Sequence, residues 1–133
     1  MPYSKSYVIL GDPTPLARPR MANYRVYDSQ KHEKLCMSIE MERQHDQARF
    51  FVGALSLNVF FYFDVNKLAK KKRPEALQVG YRATIPDLSN LIKFVEDCAT
   101  GILYADDCLI VSIHSIKKYD EVPRTEFTLT ELL

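Results

Sequence analysis

Apolar and polar positions alternate most clearly between Ala54 and Phe63. Leu55, Leu57, Val59, Phe61 and Phe63 fall on one face, and Ser56, Asn58, Phe60 and Tyr62 on the other. A period of two predicts a strand, and large residues on both faces from Val59 onward predict a central strand covered on both sides. From Leu88 to Thr100 the spacing becomes helical. Leu88, Leu91, Ile92, Val95 and Ala99 share one narrow face, while Ser89, Asn90, Lys93, Glu96, Asp97 and Thr100 share the opposite one. Gly101, directly after, suits a C-cap. Ser6 to Leu10 reads as a short buried strand, ended by Gly11-Asp12-Pro13-Thr14-Pro15 because proline fixes φ and cannot extend a ladder. Asn23 to Tyr27 predicts a second short strand. A polar helix from about Gln30 to Ala48 follows, capped by Asp28 or Ser29 and placed on the surface by its sparse apolar positions Leu35, Ile39 and Met41. Asn66 to Pro74 has no periodicity and predicts a mobile loop. Cys108 to Lys118 and Arg124 to Leu129 predict the last two strands. The order β, β, α, β, α, β, β points to an α+β fold with a mixed sheet and two main helices.

A chain of 133 residues fits one domain, spanning 1–133, with no repeat or boundary inside it. At 47% hydrophobic and 26% charged it has the composition of a soluble globular protein. No apolar run approaches the ~18 residues of a membrane span, and Met1-Pro2-Tyr3-Ser4-Lys5 has no signal-peptide core behind it. The three cysteines, Cys36, Cys98 and Cys108, are odd in number and lack zinc spacing, so a reduced, cytoplasmic chain is expected.

The net charge of +1 hides an uneven distribution. Arg18, Arg20 and Arg25 form one basic block, and Lys67, Lys70, Lys71, Lys72 and Arg73 form another. Asp87, Glu96, Asp97, Asp106 and Asp107 gather in one short span. Basic blocks can hold phosphate and carboxylates can hold a metal, a combination that suits a metal-dependent nuclease; solvated charged loops are the plainer alternative. Asp87 stands at the start of the amphipathic helix, Asn90, Lys93 and Asp97 project from its polar face, and Asp106 and Asp107 open the next strand. The link Gly101 to Asp106 permits the two groups to meet without requiring it. Magnesium prefers carboxylate and water oxygens, and a lysine beside them could stabilise charge on a phosphoryl transition state.

These residues also carry a family resemblance. Pro86-Asp87-Leu88-Ser89-Asn90-Leu91-Ile92-Lys93 resembles the proline-aspartate-x-aspartate-asparagine-leucine-x-lysine motif of the RusA-type Holliday-junction resolvases. Asp97 matches the family's later helical aspartate, and Gly101, Tyr104, Asp106, Asp107 and Ile110 match its glycine, aromatic and double-aspartate segment. Gly11, Pro15 and Arg18-Pro19-Arg20 resemble its opening, and Lys117 lies where the family tends to carry a strand lysine. The resemblance implies a RusA-like fold and a homodimeric endodeoxyribonuclease, dependent on Mg²⁺ with Mn²⁺ as a possible substitute. Such an enzyme makes paired nicks in four-way or branched DNA during recombination and repair, in a host, phage or prophage setting. It implies Asp87, Lys93 and Asp107 as catalytic residues and Asp87, Asp106 and Asp107 as metal ligands. Ser89, Asn90 and Asp97 would support the site, and Arg18, Arg20, Lys70, Lys71, Lys72, Arg73 and Lys117 would bind DNA.

Ser89 departs from the pattern, because a neutral hydroxyl stands where the family has a carboxylate. The departure implies weaker or rearranged metal binding, and it raises the alternative of a catalytically weakened or silent branched-DNA-binding protein of the same fold. A protein-interaction domain keeping only the fold is a third reading. Glu96 lies on the face of Ser89 but about 10 Å along the axis. Asp97 is expected to pair with Lys93 at i, i+4. His32 and His45 are expected to be exposed, and His114 to be a satisfied structural histidine. Tyr24, Tyr27, Tyr62, Tyr81 and Tyr104 could stack on unpaired bases, though core or sheet-edge roles are the commoner ones.

Overall fold

A computed structural model describes residues 3–17, 20–22 and 25–133, with residues 20–22 and 25–27 given as backbone only. Four strands form the main sheet: β1 (Ser4–Leu10), β4 (Leu55–Asp64), β5 (Ile110–Asp120) and β6 (Arg124–Glu131), in the order β1-β6-β4-β5. β6 runs antiparallel to both β1 and β4, and β4 runs parallel to β5, so the sheet is mixed. β2 (Arg20–Ala22) and β3 (Arg25–Tyr27) make a separate two-stranded hairpin, where the sequence pattern predicts a single strand over Asn23 to Tyr27. The helices are α1 (Lys31–His45), α2 (Arg73–Val79) and α3 (Leu88–Ala99). The α+β expectation with a mixed sheet therefore holds, with one short helix added. No helix among the described residues is long and apolar enough to cross a membrane.

The odd-numbered residues of β4 are all buried and share one core with Phe127 and Leu129 of β6 and Tyr7 of β1. Leu91, Phe94, Val95, Cys98 and Ala99 of α3 and Met41 of α1 close this core from above. The other face of β4 (Ser56, Asn58, Phe60 and Tyr62) is only half-buried, so the strand is central but covered on one side. Two-layer packing explains this, because both long helices share one face of the sheet. Burial pushes the Cys98 thiol up to about 12, which keeps it protonated and inert.

α1 differs from its expected character. Leu35 and Ile39, its apolar signposts, are 58% and 56% exposed, while Met41 and His45 are 0% and 4% exposed. Histidine can be buried there because both ring nitrogens are satisfied. Nδ1 is hydrogen-bonded to the Tyr7 hydroxyl at 2.6 Å, and Nε2 lies 3.0 Å from the Arg49 carbonyl. A carbonyl can only accept, so Nε2 is the donor in that contact. Neither Asp28 nor Ser29 is the cap: Gln30 holds that position, with no side-chain cap bond. Asp28 instead accepts the Gln30 amide at 2.9 Å.

The segment expected to be a mobile loop is ordered as two short 3₁₀ turns, Val65–Lys67 and Lys70–Lys72, leading into α2. Pro74 supports the helix start, where its missing N–H costs nothing. Arg73 ties the turns together, donating to Leu68 O at 3.1 Å and Asn66 O at 2.8 Å.

Candidate active site

α3 organises the acidic residues. Its amphipathic pattern fixes Leu91 and Val95 against the sheet and turns Ser89, Lys93 and Asp97 to solvent. Asp87 is the N-cap, with extended backbone (φ −67°, ψ 138°) and an exposed side chain. Aspartate is favoured there because its carboxylate can accept a first-turn amide. Here the carboxylate makes no cap bond, and the backbone carbonyl takes the Asn90 and Leu91 amides at 3.2 Å each. The Asp87 carboxylate is left available to a ligand beyond the helix.

The opening of the chain docks against this first turn. Leu16 donates its amide to Asn90 O at 2.9 Å. Gln30 braces the same stretch, accepting from Ala17 N at 2.8 Å and donating to Pro15 O at 2.7 Å. The segment leading to Arg18 is thereby brought to the start of α3. Arg18 and the Arg20 side chain lie outside the described residues.

Asp106 and Asp107 sit at a short 3₁₀ turn, Asp107–Leu109, just ahead of β5. Gly101, in the left-handed region at φ 83°, starts the link after Thr100, the C-cap of α3. It donates to Tyr104 O at 2.7 Å, and the buried Tyr104 donates its hydroxyl to Glu96 O at 3.1 Å. This anchored return sets Asp106 and Asp107 beside the second half of α3. The amide of Cys108, bound to Asp106 at 3.1 Å, holds that carboxyl below its usual range. Asp107 is pushed up, first by its side-chain contact with Asp106, then by burial and by Asp97. Glu96, half-buried, is pushed up by burial and then by Asp107 and Asp97.

The expected acidic residues are therefore distributed over α3 rather than drawn to one point. Glu96, Asp97, Asp106 and Asp107 group toward its C-terminal half, and Asp87 stands at its start. Asp87 and Asp97, ten residues apart, are separated by ~15 Å along the axis. No three histidine, cysteine or acidic side chains among the described residues form a metal cage. The donor chemistry does fit a hard divalent cation: the candidate ligands Asp87, Asp106 and Asp107 are all carboxylates, and Asp107 is pushed up by its side-chain contact with Asp106.

Other candidates acquire partners that the pattern did not foretell. Asp97 pairs with Lys34 of α1 at 3.4 Å, not with Lys93. Lys34 also holds Asp28 at 2.7 Å, and no ion pair among the described residues involves Lys93. Lys70, Lys71 and Lys72 are exposed, as a phosphate-binding arm requires, whereas Arg73 is engaged by the carbonyls named above. Lys117, expected to face DNA, donates to Thr84 O and Pro86 O at 2.7 Å each. Tyr104 is core, Tyr81 is exposed, and His114 is exposed with its ring edge-on to Phe60.

The raised carboxyl of Glu96 has a consequence for stability. An acid whose folded pKa lies above its unfolded value destabilises the fold once ionised, so the penalty is absent at low pH and complete above the folded pKa. Glu96→Gln is expected to raise the melting temperature at pH 7 by no more than a few degrees, since water partly screens the side chain. At pH 4 the gain should shrink toward zero. Differential scanning fluorimetry at both pH values checks this, and an equal gain at the two would remove the electrostatic explanation.

The chain is 29% identical over 135 aligned positions to "Uncharacterized protein YqaN" of Bacillus subtilis (strain 168), with 95% of each chain covered. A family model described as endodeoxyribonuclease RusA matches residues 11–130, from the glycine after β1 to the last strand and including every acidic residue of α3 and its flanks. The chain therefore belongs to the RusA endodeoxyribonuclease family.

Proposed function

We propose that the protein is a structure-selective endodeoxyribonuclease that resolves four-way DNA junctions by paired, metal-dependent nicks. The observation that carries this reading is the Asp87 carboxylate, left without a cap bond at the start of α3, with Asp106 and Asp107 at the turn ahead of β5, in a chain of the RusA family. Asp106 and Asp107 beside the C-terminal half of α3, and Asp87 separately at its start, would be the carboxylates that hold Mg²⁺ or Mn²⁺, which supplies Lewis-acid stabilisation of the phosphate and an activated water. Lys93, exposed on the polar face and without an ion-pair partner among the described residues, would neutralise charge developing on the phosphate oxygens. Asn90 orients the first turn, and its carbonyl tethers the arginine-bearing opening segment.

Lys70, Lys71 and Lys72 offer a phosphate track. It follows the C-terminal end of β4, the end of the sheet at which Lys117 holds the residues before Asp87. Such contacts position a duplex without reading its sequence, so junction shape supplies most selectivity. Paired nicks in opposing strands call for two identical sites related by a two-fold axis, hence a homodimer.

Ser89 favours a second reading, a branched-DNA-binding relative that cuts slowly or not at all. Cleavage of a labelled synthetic four-way junction across Mg²⁺ and Mn²⁺ concentrations separates the two, with linear duplex of the same sequence alongside. Symmetric nicks in the junction alone are the expected result. Junction binding with no nick under either metal establishes the silent relative instead. In an active enzyme, Ser89→Asp adds a carboxylate within a turn of Asp87 and is expected to lower the Mg²⁺ needed for half-maximal rate several-fold. An unchanged or higher requirement would assign the metal to other ligands.

A further inference from the structure

Residues 80–86 join α2 to α3 as a strap along the outer edge of β5. Tyr119 donates its amide to Gly80 O at 2.8 Å and Arg82 donates to Lys117 O at 3.1 Å, flanking an antiparallel bridge between Tyr81 and Lys118. Beyond Arg82 the backbone pairing stops, and side chains take over. The guanidinium of Arg82 folds back along its own segment, donating to Ile85 O through Nε at 3.1 Å and Nη2 at 2.8 Å. It lies over the Phe63 ring, 4.3 Å from the centroid, with Tyr119 further out at 5.8 Å. Lys117 stands opposite Phe61 in the β4–β5 register, and its ammonium donates to Thr84 O and Pro86 O at 2.7 Å each.

Three successive carbonyls, of residues 84, 85 and 86, are thus each held by one of two cations, and the next residue is Asp87. Apolar burial does not fix this stretch. Ile85 is 79% exposed, and Thr84 and Asp87 are exposed as well. Charge-assisted bonds to carbonyls are shorter and stronger than neutral ones, so two cations can fix a segment with no core anchor. We propose that Arg82 and Lys117 form a two-cation clamp that sets the position of Asp87. Lys117 is then a positioning residue rather than a phosphate contact. The inference rests on the nuclease reading for its effect on rate, and on the fold alone for its effect on the strap.

Lys117→Met keeps the aliphatic stem and removes the donors. It is expected to cut the single-turnover rate at saturating junction by roughly 10–100-fold, the scale of a small misplacement of a reacting group. It should also raise the Mg²⁺ needed for half-maximal rate, with junction affinity within about twofold of wild type, since no phosphate contact is lost. Lys117→Arg, whose fork can also reach two carbonyls, should recover most of the rate. Hydrogen exchange at the amides of residues 87–91 should quicken in Lys117→Met and stay near wild type in Lys117→Arg. Weakened junction binding with an unchanged saturated rate would overturn the clamp in favour of a DNA contact, as would unchanged exchange. Arg82→Leu, which leaves Lys117 in place, serves with the same readouts if Lys117→Met does not fold. Should the wild-type protein cut no junction under any metal, the nuclease reading fails, and the exchange measurement still decides the clamp.

Discussion

Asp107→Asn is expected to slow junction cleavage on the order of a thousandfold, above the roughly 10–100-fold that loss of a metal's outer-shell partner costs. Junction affinity should stay within a few-fold of wild type. Asparagine keeps the shape of the side chain while removing its charge and exchanging one acceptor oxygen for an NH₂ donor at an exposed position, so a folding defect is not the expected cause. The electrostatics point the other way: Asp107 is raised by Asp106 and Asp97 and itself raises Glu96, so neutralising it relieves repulsion and should leave the melting temperature unchanged or higher. Lower activity with equal or greater stability is the signature of a residue kept for chemistry. Asp87→Asn is expected to match it in rate, for a different structural reason, since Asp87 stands apart from that repulsive group and makes no cap bond. Single-turnover cleavage and junction binding, measured for both variants beside thermal unfolding, make the comparison. Retained cleavage in Asp107→Asn would remove the double aspartate from the mechanism. Loss of cleavage only in Asp107→Asn would confine the metal to the C-terminal half of α3.

What the sequence made legible follows from what leaves a periodic trace. β4 and α3 each bury one face against a common core, so period two and period 3.6 could be read from Leu55 to Phe63 and from Leu88 to Ala99. Phe94 and Cys98 were missed on the buried side of α3 because the narrow stripe chosen was tighter than the real one. α1 misled because its inward residues include a histidine held by Tyr7 and the Arg49 carbonyl, while Leu35 and Ile39 face solvent. The turns and helix from Val65 to Val79 carry no apolar stripe, and the carbonyl contacts of Arg73 are what order them. The acidic residues were identifiable by type and spacing. Their division between the two ends of α3 was not, because it depends on where the return through Tyr104 sets Asp106 and Asp107. The partners of Asp97 and Lys117 were illegible for a related reason. Lys34, Thr84 and Pro86 reach them through tertiary contacts at sequence separations that no local pattern encodes.

The same helix that presents the site is held by a few apolar side chains, and Leu91→Ala is expected to reveal how much of the fold hangs on them. Leu91 is 0% exposed and lies one turn beyond Asp87, in the core cluster that includes Leu57, Val59 and Phe94. Truncating a fully buried leucine removes its transfer free energy and leaves a cavity, together costing about 3–5 kcal/mol. That is a large share of the ~5–15 kcal/mol by which a domain of this kind is stable. The melting temperature should fall by roughly 10–20 °C at ~3–5 °C per kcal/mol. Ile92→Ala, one residue on but only half-buried, removes a side chain that still touches water and should cost less than half as much. Thermal and urea unfolding of the two variants give the ratio. Because the damage lies beneath α3 and leaves the carboxylates in place, cleavage by Leu91→Ala at 15 °C, where it remains folded, should stay within about tenfold of wild type. A thousandfold loss in protein shown to be folded would mean that the seat of α3 on the sheet, and not only the identity of its polar side chains, sets the geometry of Asp87. Equal stability of the Leu91 and Ile92 variants would place the apolar face of α3 differently from the arrangement described.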